Sequence, residues 1–186
     1  DSVAYPNKTA YRLSVSASVA GRSAFAANMG SVGYWGGGSP GSYDAGDSLS
    51  EQQWIDSYQS GNKYNGVVYR RSKVTTAMIS DGLTNTYMVG EKYLIPDHYE
   101  TGSASNDDQA MYVGHDQDVL RSTYWVPLQD RAGVLGAYTF GSTHSGVFNM
   151  ALCDGSVRAI SFTIDSETHL WLGSRDGGEV VDQNSF

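Results

Sequence analysis

The sequence contains a single cysteine, Cys153, so no internal disulfide can form. It has no apolar run near the roughly 18 residues that a membrane-spanning helix requires, and no recognisable signal peptide. Because the chain starts at Asp1 without a methionine, we interpret it as a processed or truncated product whose targeting segment is missing. Since Cys153 lies in an apolar run, we expect it to pack as a small hydrophobic residue rather than to react.

Basic residues are also scarce. Twelve Lys and Arg residues stand against twenty Asp and Glu residues, which gives a formal net charge of −8. Non-specific binding to nucleic acid requires a basic surface, so the composition argues against that class of protein. Two uses of the acidic surplus remain open: a solubilising surface, or oxygen ligands for a cation such as calcium.

Glycine and tyrosine, in contrast, are abundant, with 22 and 13 residues. These residues suit turns and half-buried strands, and 186 residues can bury a sizeable core in one domain. We therefore predict a single α+β domain over residues 1–186, β-rich and antiparallel, with long loops and two short helices. Its first part, 1–60, is a variable strand, loop and helix region, and 61–186 forms the core.

The most informative stretch is 140–158, FGSTHSGVFNMALCDGSVR. An apolar run, the pair Asp154-Gly155 and a second run over 156–162 predict a β-hairpin, since Asp-Gly favours tight turns. Nine residues separate His144 from Asp154. At about 3.3 Å per residue, ten steps along a strand span roughly 33 Å, so we place the two side chains at opposite ends of the hairpin. That distance argues against a catalytic pair.

The register of this hairpin stays open. A two-residue loop places His144 opposite Asp165, whereas a bulged loop places it opposite Ile164. We expect His144 to hydrogen-bond near Asp165 and to tie the hairpin base to the next helix. Asp165 is a suitable N-cap for that helix, which we predict over 166–172 with Gly173 as its end.

Other segments also have recognisable patterns. Alternation over 11–19 predicts a half-buried strand. Ser48 and Glu51 have capping-box spacing and predict a helix of about three turns at most, which ends at Ser60 with Gly61 as its stop. The segments 67–69, 74–79 and 84–90 are predicted as strands, with the turn Asp81-Gly82 before the last of them.

Polar residues follow these predicted strands. Asp81-Gly82 is a turn signal, in which Gly82 supplies the required backbone angles and Asp81 and Asn85 bond local backbone groups. Glu91 is expected to be buried or half-buried and to meet an arginine or backbone amides, since an unpaired buried carboxylate would be costly. These residues therefore specify the fold.

The acidic loop 106–118 is the best candidate for a cation site. Its carboxylates could converge on a hard ion such as calcium, which takes six to eight oxygen ligands. The alternative is that they are solvated and paired with Arg121 and Arg131. The candidate ligands are Asp107, Asp108, Asp116 and Asp118.

The glycine-rich loop 34–43 carries Tyr34, Trp35 and Tyr43, which could stack on a sugar. Anchoring of the core or the loop is the more common use of such aromatics. No nucleophile elbow, phosphate loop, dinucleotide motif or zinc-ligand pair occurs in the sequence, so we expect no enzyme.

Three blocks, in order, resemble a bacterial pseudopilin-like family of unknown function. Residues 79–91, ISDGLTNTYMVGE, are similar to its Asp-Gly…Asn-Thr…Gly-Glu block. Residues 106–121 look like a segment of one subgroup, and 140–157 carry its C-terminal motif of His, nine residues and Asp-Gly. The resemblance covers about 65–186.

This resemblance implies an α+β head with an antiparallel sheet, outside the cytoplasm, from a protein related to type IV pilins and type II secretion pseudopilins. Such a head is structural and assembles with itself or with other pilin-like subunits into a filament or secretion apparatus. Membrane contact would come only through an N-terminal helix that this sequence lacks. The alternative is an extracellular module that binds polysaccharide or another ligand through the aromatic and acidic loops. No catalytic residues follow from the family.

Overall fold

The computed structural model describes residues 5–6, 19–33, 40, 42–58, 64–136, 138–182 and 185–186. Their strands are β1 (Tyr5–Pro6), β2 (Val19–Ala20), β3 (Phe25–Asn28), β4 (Tyr87–Glu91), β5 (Leu120–Arg121), β6 (Leu128–Gln129), β7 (Gly141–Ser142), β8 (Val147–Leu152) and β9 (Val157–Ser161). Their helices are α1 (Tyr43–Asp47), α2 (Glu51–Tyr58) and α3 (Ser166–Gly173). No helix within these ranges is long and apolar enough to cross a membrane.

The central sheet has five strands in the order β5-β3-β4-β8-β9, and the short pairs β1-β2 and β6-β7 lie outside it. The pairs β3-β4, β4-β8 and β8-β9 are antiparallel. The edge pair β3-β5 is parallel, because the long connection between β4 and β5 lets the chain return beside β3 in the same direction. The α+β class is confirmed, and the sheet is mixed.

The predicted C-terminal hairpin is confirmed as β8 and β9. Three residues lie between Leu152 and Ser156, whose backbones are joined by an N–H···O bond of 2.8 Å. Gly155 adopts a φ of +87°, and the Asp154 carboxylate accepts from the Ser156 N–H at 2.8 Å. These two features stabilise the three-residue loop, so the observed register is that of the bulged alternative.

The predicted C-terminal helix is also confirmed, as α3. The Asp165 carboxylate caps its N-terminus by accepting from the Thr168 N–H at 2.8 Å. Gly173 is the last helical residue and Ser174 is the C-cap. Leu172 from this helix packs on one face of the sheet in the main core, which comprises Tyr87, Phe140, Phe148, Met150, Leu152, Ile160 and Leu172.

The helix predicted after Ser48 forms as α2, but it begins later, at Glu51, and uses a different cap. Ser50 accepts from the Gln53 N–H at 3.3 Å, and the Ser50 N–H donates to the Gln53 side chain at 2.8 Å. This reciprocal pair is the capping box. Ser48 instead caps the C-terminus of α1, where its N–H donates to the Asp44 carbonyl at 3.0 Å.

The strand predicted over 84–90 forms as β4, which covers Tyr87–Glu91, whereas the strands predicted over 67–69 and 74–79 do not form. The N–H groups of Val67 and Val68 both donate to the Asn28 carbonyl, at 3.1 and 3.0 Å, so this segment crosses the end of β3 instead of pairing along it. Residues Thr76–Met78 form one 3-10 turn. In the segment 67–69, hydrogen bonding to the end of β3 therefore outweighs the strand preference of the β-branched residues.

Parts of the N-terminal predictions lie outside the described residues. Only Val19 of the predicted strand 11–19 is described, where it belongs to β2. The predicted end of α2 at Ser60 also falls outside, and the described helix ends at Tyr58.

One face of the central sheet is not covered by α3. A bulge between Tyr87 and Val89 sets the alternation in β4, and strand pairing places Ala27, Val89, Ala151 and Val157 in one row across this face. Val157 is 67% exposed and Phe25, near the other edge, is 53% exposed. We call this surface the open face, and its apolar residues are Phe25, Val89, Ala151, Val157 and Ala159, whereas Ala27 packs against the second core cluster of Met29, Tyr64 and Leu120.

Candidate functional site

His144 and Asp154 lie at opposite ends of β8, as their spacing predicts. The strand β8, six residues and about 17 Å long, lies between them. Asp154 accepts from the N–H and hydroxyl of Ser156, at 2.8 and 2.7 Å. His144 Nε2 lies 3.1 Å from Glu91 Oε1. The two residues have separate partners, so they do not form one site.

The predicted contact between His144 and Asp165 is wrong. Asp165 is engaged as the cap of α3, where it accepts from the backbone and hydroxyl of Thr168. Gly146, with a φ of +82°, turns the chain just before β8 begins. His144 therefore leaves the hairpin ladder and reaches Glu91 on β4.

Glu91 meets a backbone amide, as predicted, and has no arginine partner among the described residues. Its Oε2 accepts from the N–H of Asn149 at 2.6 Å and from the Asn149 side chain at 3.2 Å. The Glu91 side chain is 16% exposed, whereas that of His144 is 51% exposed. Glu91 therefore ties β4 to β8, and His144 covers the solvent side of this tie.

Replacing Glu91 with alanine is expected to lower the free energy of unfolding by about 1–3 kcal/mol, because the half-buried Asn149 N–H loses a charged acceptor. Replacing His144 with alanine is expected to cost less than about 1 kcal/mol, since that side chain is largely exposed. Urea denaturation of both variants measures the difference. An equal or larger loss for His144→Ala would contradict the assignment of Glu91 as the anchor.

The Asp81-Gly82 element forms a turn, as predicted, but the Asp81 carboxylate bonds backbone groups that are distant in the sequence and not local ones. The two oxygens of the Asp81 carboxylate accept from the N–H groups of Gly177 and Gly178, at 2.8 and 2.9 Å. The Asn85 side chain donates to the Asp81 carbonyl at 3.1 Å, and Gly82 has a φ of +99°. This turn thus holds the segment that follows α3.

The tip of the hairpin packs against the same turn. The N–H groups of Asp154 and Cys153 donate to the carbonyls of Leu83 and Thr86, at 3.0 and 2.9 Å. Burial raises the pKa of Cys153 to about 11, so the thiol stays protonated at neutral pH. This agrees with the prediction that Cys153 packs instead of reacting. The Asp-Gly elements thus meet at one end of the sheet.

A group of buried charged side chains lies next to the end of β4. Lys92 Nζ contacts Asp107 Oδ1 at 2.7 Å and the Asp118 carbonyl at 2.7 Å. The side chains of Lys92 and Asp107 are only 1% and 9% exposed. Arg22 forms a second ion pair with Asp107. Together with Arg121, these residues form what we call the buried charge cluster.

Arg121 is wholly buried in this cluster, where it donates to backbone carbonyls, including that of Thr139 at 3.0 Å. Burial lowers the pKa of Arg121 to about 10, which leaves the guanidinium charged at neutral pH. Burial also lowers the pKa of Lys92, and burial together with the neighbouring Asp116 raises the pKa of Asp118. The acidic loop is therefore held to the sheet by desolvated charges.

The predicted calcium ligands do not form one ligand set. Among the residues that the structure describes, no group of three or more His, Cys, Asp or Glu side chains could hold a metal ion. Asp107 instead neutralises Lys92, and Asp118 accepts from the Gln109 N–H at 2.7 Å. Calcium binding stays a prediction, which thermal melting with and without a chelator would test. The residues concerned are Asp107, Asp108, Asp116 and Asp118.

The alternative prediction, solvated carboxylates paired with Arg121 and Arg131, is wrong for Asp107. This carboxylate is buried and its partners are Lys92 and Arg22. The sequence analysis missed both cations. Lys92 follows the buried Gly90 by two positions, and strand alternation was the signal that could have placed it inside.

The aromatic loop proposed to bind sugar cannot be assessed from the described residues. Tyr34 and Trp35 lie outside them. Tyr43 is the first residue of α1, and its side chain is not described. A sugar-stacking surface there stays a prediction.

His169 of α3 is a further residue that sequence analysis did not single out. It is 0% exposed, and its ring lies 5.6 Å from Tyr87, 6.1 Å from Phe148 and 6.5 Å from Phe140, measured between ring centroids. Burial lowers the pKa of His169 to about 3, so the imidazole is neutral at pH 7. It serves as a core residue.

Fold and site together define an α+β protein in which the motif side chains hold turns, a helix end and neighbouring strands. The family model described as "Protein of unknown function (DUF1559)" matches residues 6–167, and the chain belongs to this family. No curated protein and no solved structure matches the chain.

Proposed function

We propose that the chain is the exported head of a non-enzymatic, pseudopilin-like structural subunit. It assembles into or decorates a cell-surface filament or a secretion apparatus outside the cytoplasm. Its partners are copies of itself or other pilin-like subunits. Membership of the family supports this proposal, together with the resemblance of the blocks 79–91, 106–121 and 140–157 to pseudopilin-like proteins.

The open face is the observation that carries this proposal. A sheet with α3 on one side only leaves a second apolar surface, which in an assembled protein is a natural packing surface. The row from Val89 to Val157 consists of small and β-branched residues, so another subunit can approach it closely. We therefore assign the open face to contact with a neighbouring subunit.

The hydrogen bonds of the motif side chains support a structural role. Glu91, Asp81, Asp154 and Asp165 each accept from a backbone N–H group. A catalytic acid or base must be placed to exchange a proton with a bound substrate. These carboxylates instead accept hydrogen bonds within turns, a helix cap and a strand contact.

The substitution Val157→Arg in the full-length protein, expressed in its own cells, tests the proposal. We expect it to reduce the assembled fraction at least about tenfold, because an unpaired charge would enter a packed contact. Sedimentation and electron microscopy measure that fraction, and thermal melting checks that the variant folds.

Val180→Arg is the matched control. Val180 is 91% exposed and does not belong to the open face, so this variant is expected to assemble like the wild type. If a folded Val157→Arg protein assembles normally, the open face is not the contact surface between subunits.

A further inference from the structure

The ammonium group of Lys92 is surrounded by oxygen atoms inside the buried charge cluster. Its Nζ lies 2.7 Å from Asp107 Oδ1, 2.7 Å from the Asp118 carbonyl and 3.4 Å from the Asn106 carbonyl. These contacts use the three hydrogen bonds that an ammonium group can donate. When the proton between Lys92 and Asp107 moves to the carboxylate, the other two N–H groups stay bonded to carbonyls. The lone pair of the nitrogen then points at the Asp107 carboxyl group.

Both partners of this contact are shielded from water. The side chains of Lys92 and Asp107 are buried. Burial, followed by the positive charge of Arg121, lowers the pKa of Lys92, which brings the neutral amine within reach. Loss of solvation disfavours the two charged forms relative to a neutral amine beside a neutral carboxylic acid. The interior therefore promotes the pair of forms that can react with each other.

Arg22 holds the second oxygen of the same carboxyl group. Its guanidinium donates to Asp107 Oδ2 and, at 3.0 Å, to the Asp107 carbonyl. A further hydrogen bond to the Tyr99 carbonyl, at 2.6 Å, fixes its position. Attack on a carboxyl carbon places negative charge on one oxygen, and a fixed cation at that oxygen stabilises the transition state. Arg22 lies where amide formation requires such a group.

We propose that Lys92 and Asp107 join through an intramolecular amide bond between their side chains. Lys92 Nζ attacks Asp107 Cγ, so that the Nζ–Cγ bond forms and the Cγ–Oδ1 bond breaks. Two of the three ammonium protons leave with Oδ1 as one water molecule. The third proton stays on the amide nitrogen, and Oδ2 becomes the amide oxygen.

The fold supplies what this reaction needs. The step is a condensation, so it requires no oxidant, reductant or co-reactant. Holding the amine against the carboxyl group turns a reaction between two molecules into one within a single molecule, which raises its rate. The ion pair is the reactant and the amide is the product, and neither depends on subunit assembly.

The amide bond closes a loop between the end of β4 and the acidic loop. Positions 92 and 107 are 15 residues apart in the sequence. A covalent link across such a loop restricts the unfolded chain, as a disulfide does. With Cys153 as the single cysteine, the sequence cannot form an internal disulfide, and the amide bond provides a link of the same kind.

Mass spectrometry of the purified, folded 186-residue chain tests the proposal. After prolonged incubation, we expect the intact protein to be lighter than its sequence mass by one water molecule. Glutamyl endopeptidase cuts the denatured chain after Glu100, between Lys92 and Asp107. In the wild type, fragment 92–100 is expected to stay attached to fragment 101–167.

Variants locate the bond and test the role of Arg22. Lys92→Arg keeps a positive charge but cannot form the amide, so its two fragments are expected to separate. Lys73→Arg is the matched control, since Lys73 forms an exposed ion pair with Glu51, and it should keep the link. Arg22→Gln is expected to slow formation of the link at least about tenfold, measured as the linked fraction against time after cell-free synthesis. Thermal melting checks that each variant folds.

A wild-type chain that has its full sequence mass and whose two fragments separate would overturn the proposal. A link that persists in Lys92→Arg would overturn it as well, because the bond would then lie elsewhere. A succinimide at an Asp-Gly pair also loses one water molecule. Loss of water without linked fragments would therefore be assigned to a succinimide and would contradict the proposal. Assembly itself is read out separately, through Val157→Arg.

Discussion

Replacing Asp107 with alanine is expected to lower the free energy of unfolding by about 3–5 kcal/mol, a large share of the roughly 5–15 kcal/mol of a typical domain. The reason is that Asp107 neutralises both Lys92 and Arg22. Lys92 is 2% exposed, so the variant would leave an ammonium group in the interior without the carboxylate that forms its ion pair. Urea or guanidinium denaturation at pH 7 measures the loss.

The control breaks an exposed ion pair. Lys73 and Glu51 lie 3.6 Å apart with side chains 73% and 72% exposed, so Lys73→Ala is expected to change stability by less than about 0.5 kcal/mol. Asp107→Asn keeps the shape and removes the charge, which separates charge from packing. If Asp107→Ala costs no more than Lys73→Ala, the buried charge cluster does not hold the acidic loop to the sheet.

Replacing His169 with phenylalanine is expected to make the protein more resistant to acid. An unfolded histidine has a pKa of about 6.5, whereas burial lowers the pKa of His169 to about 3 in the folded protein. The stability that comes from neutral His169 is therefore fully present above pH 6.5 and is lost as the pH falls toward 3. Within that window the loss is about 1.4 kcal/mol per pH unit.

Denaturation curves from pH 7.5 down to pH 4 measure this effect as the difference between wild type and variant. His115 contributes with the same sign, because burial lowers its pKa to about 4, and Asp118, whose pKa is raised, contributes with the opposite sign. Both remain in the variant, so the difference isolates His169. Parallel stability–pH curves for the two proteins would show that His169 does not control acid stability.

At pH 7.5 the two proteins are expected to differ by less than about 1.5 kcal/mol, because phenylalanine has a similar volume and the site is apolar. The neighbouring rings of Tyr87, Phe140 and Phe148 provide such a site.

Local signals in the sequence were sufficient to predict the secondary structure of the C-terminal third of the chain. The hairpin and α3 depend on adjacent residues: an Asp-Gly turn, alternation along two strands, and Asp165 before a helical run. The spacing between His144 and Asp154 was equally reliable, since strand length alone keeps them apart. The register of the hairpin depends on one further feature. The Ser156 N–H donates to the Asp154 carboxylate, and this bond stabilises a loop of three residues instead of two.

Features that depend on distant parts of the chain were not predictable. Residues 67–69 have strand composition, yet their N–H groups are satisfied at the end of β3, which no local pattern reveals. The carboxylate of Asp107 is buried because Lys92 and Arg22 approach it from 15 and 85 residues away. His144 meets Glu91 across a strand pair for the same reason.

The state of the native full-length protein on its own cells tests the central claim most directly. Electron microscopy of material released gently from the cell surface would reveal whether the heads form repeating contacts. We predict polymers or surface assemblies in which neighbouring heads meet through Val157 and the rest of that sheet surface. Heads found only as separate monomers, or inside the cytoplasm, would contradict the account.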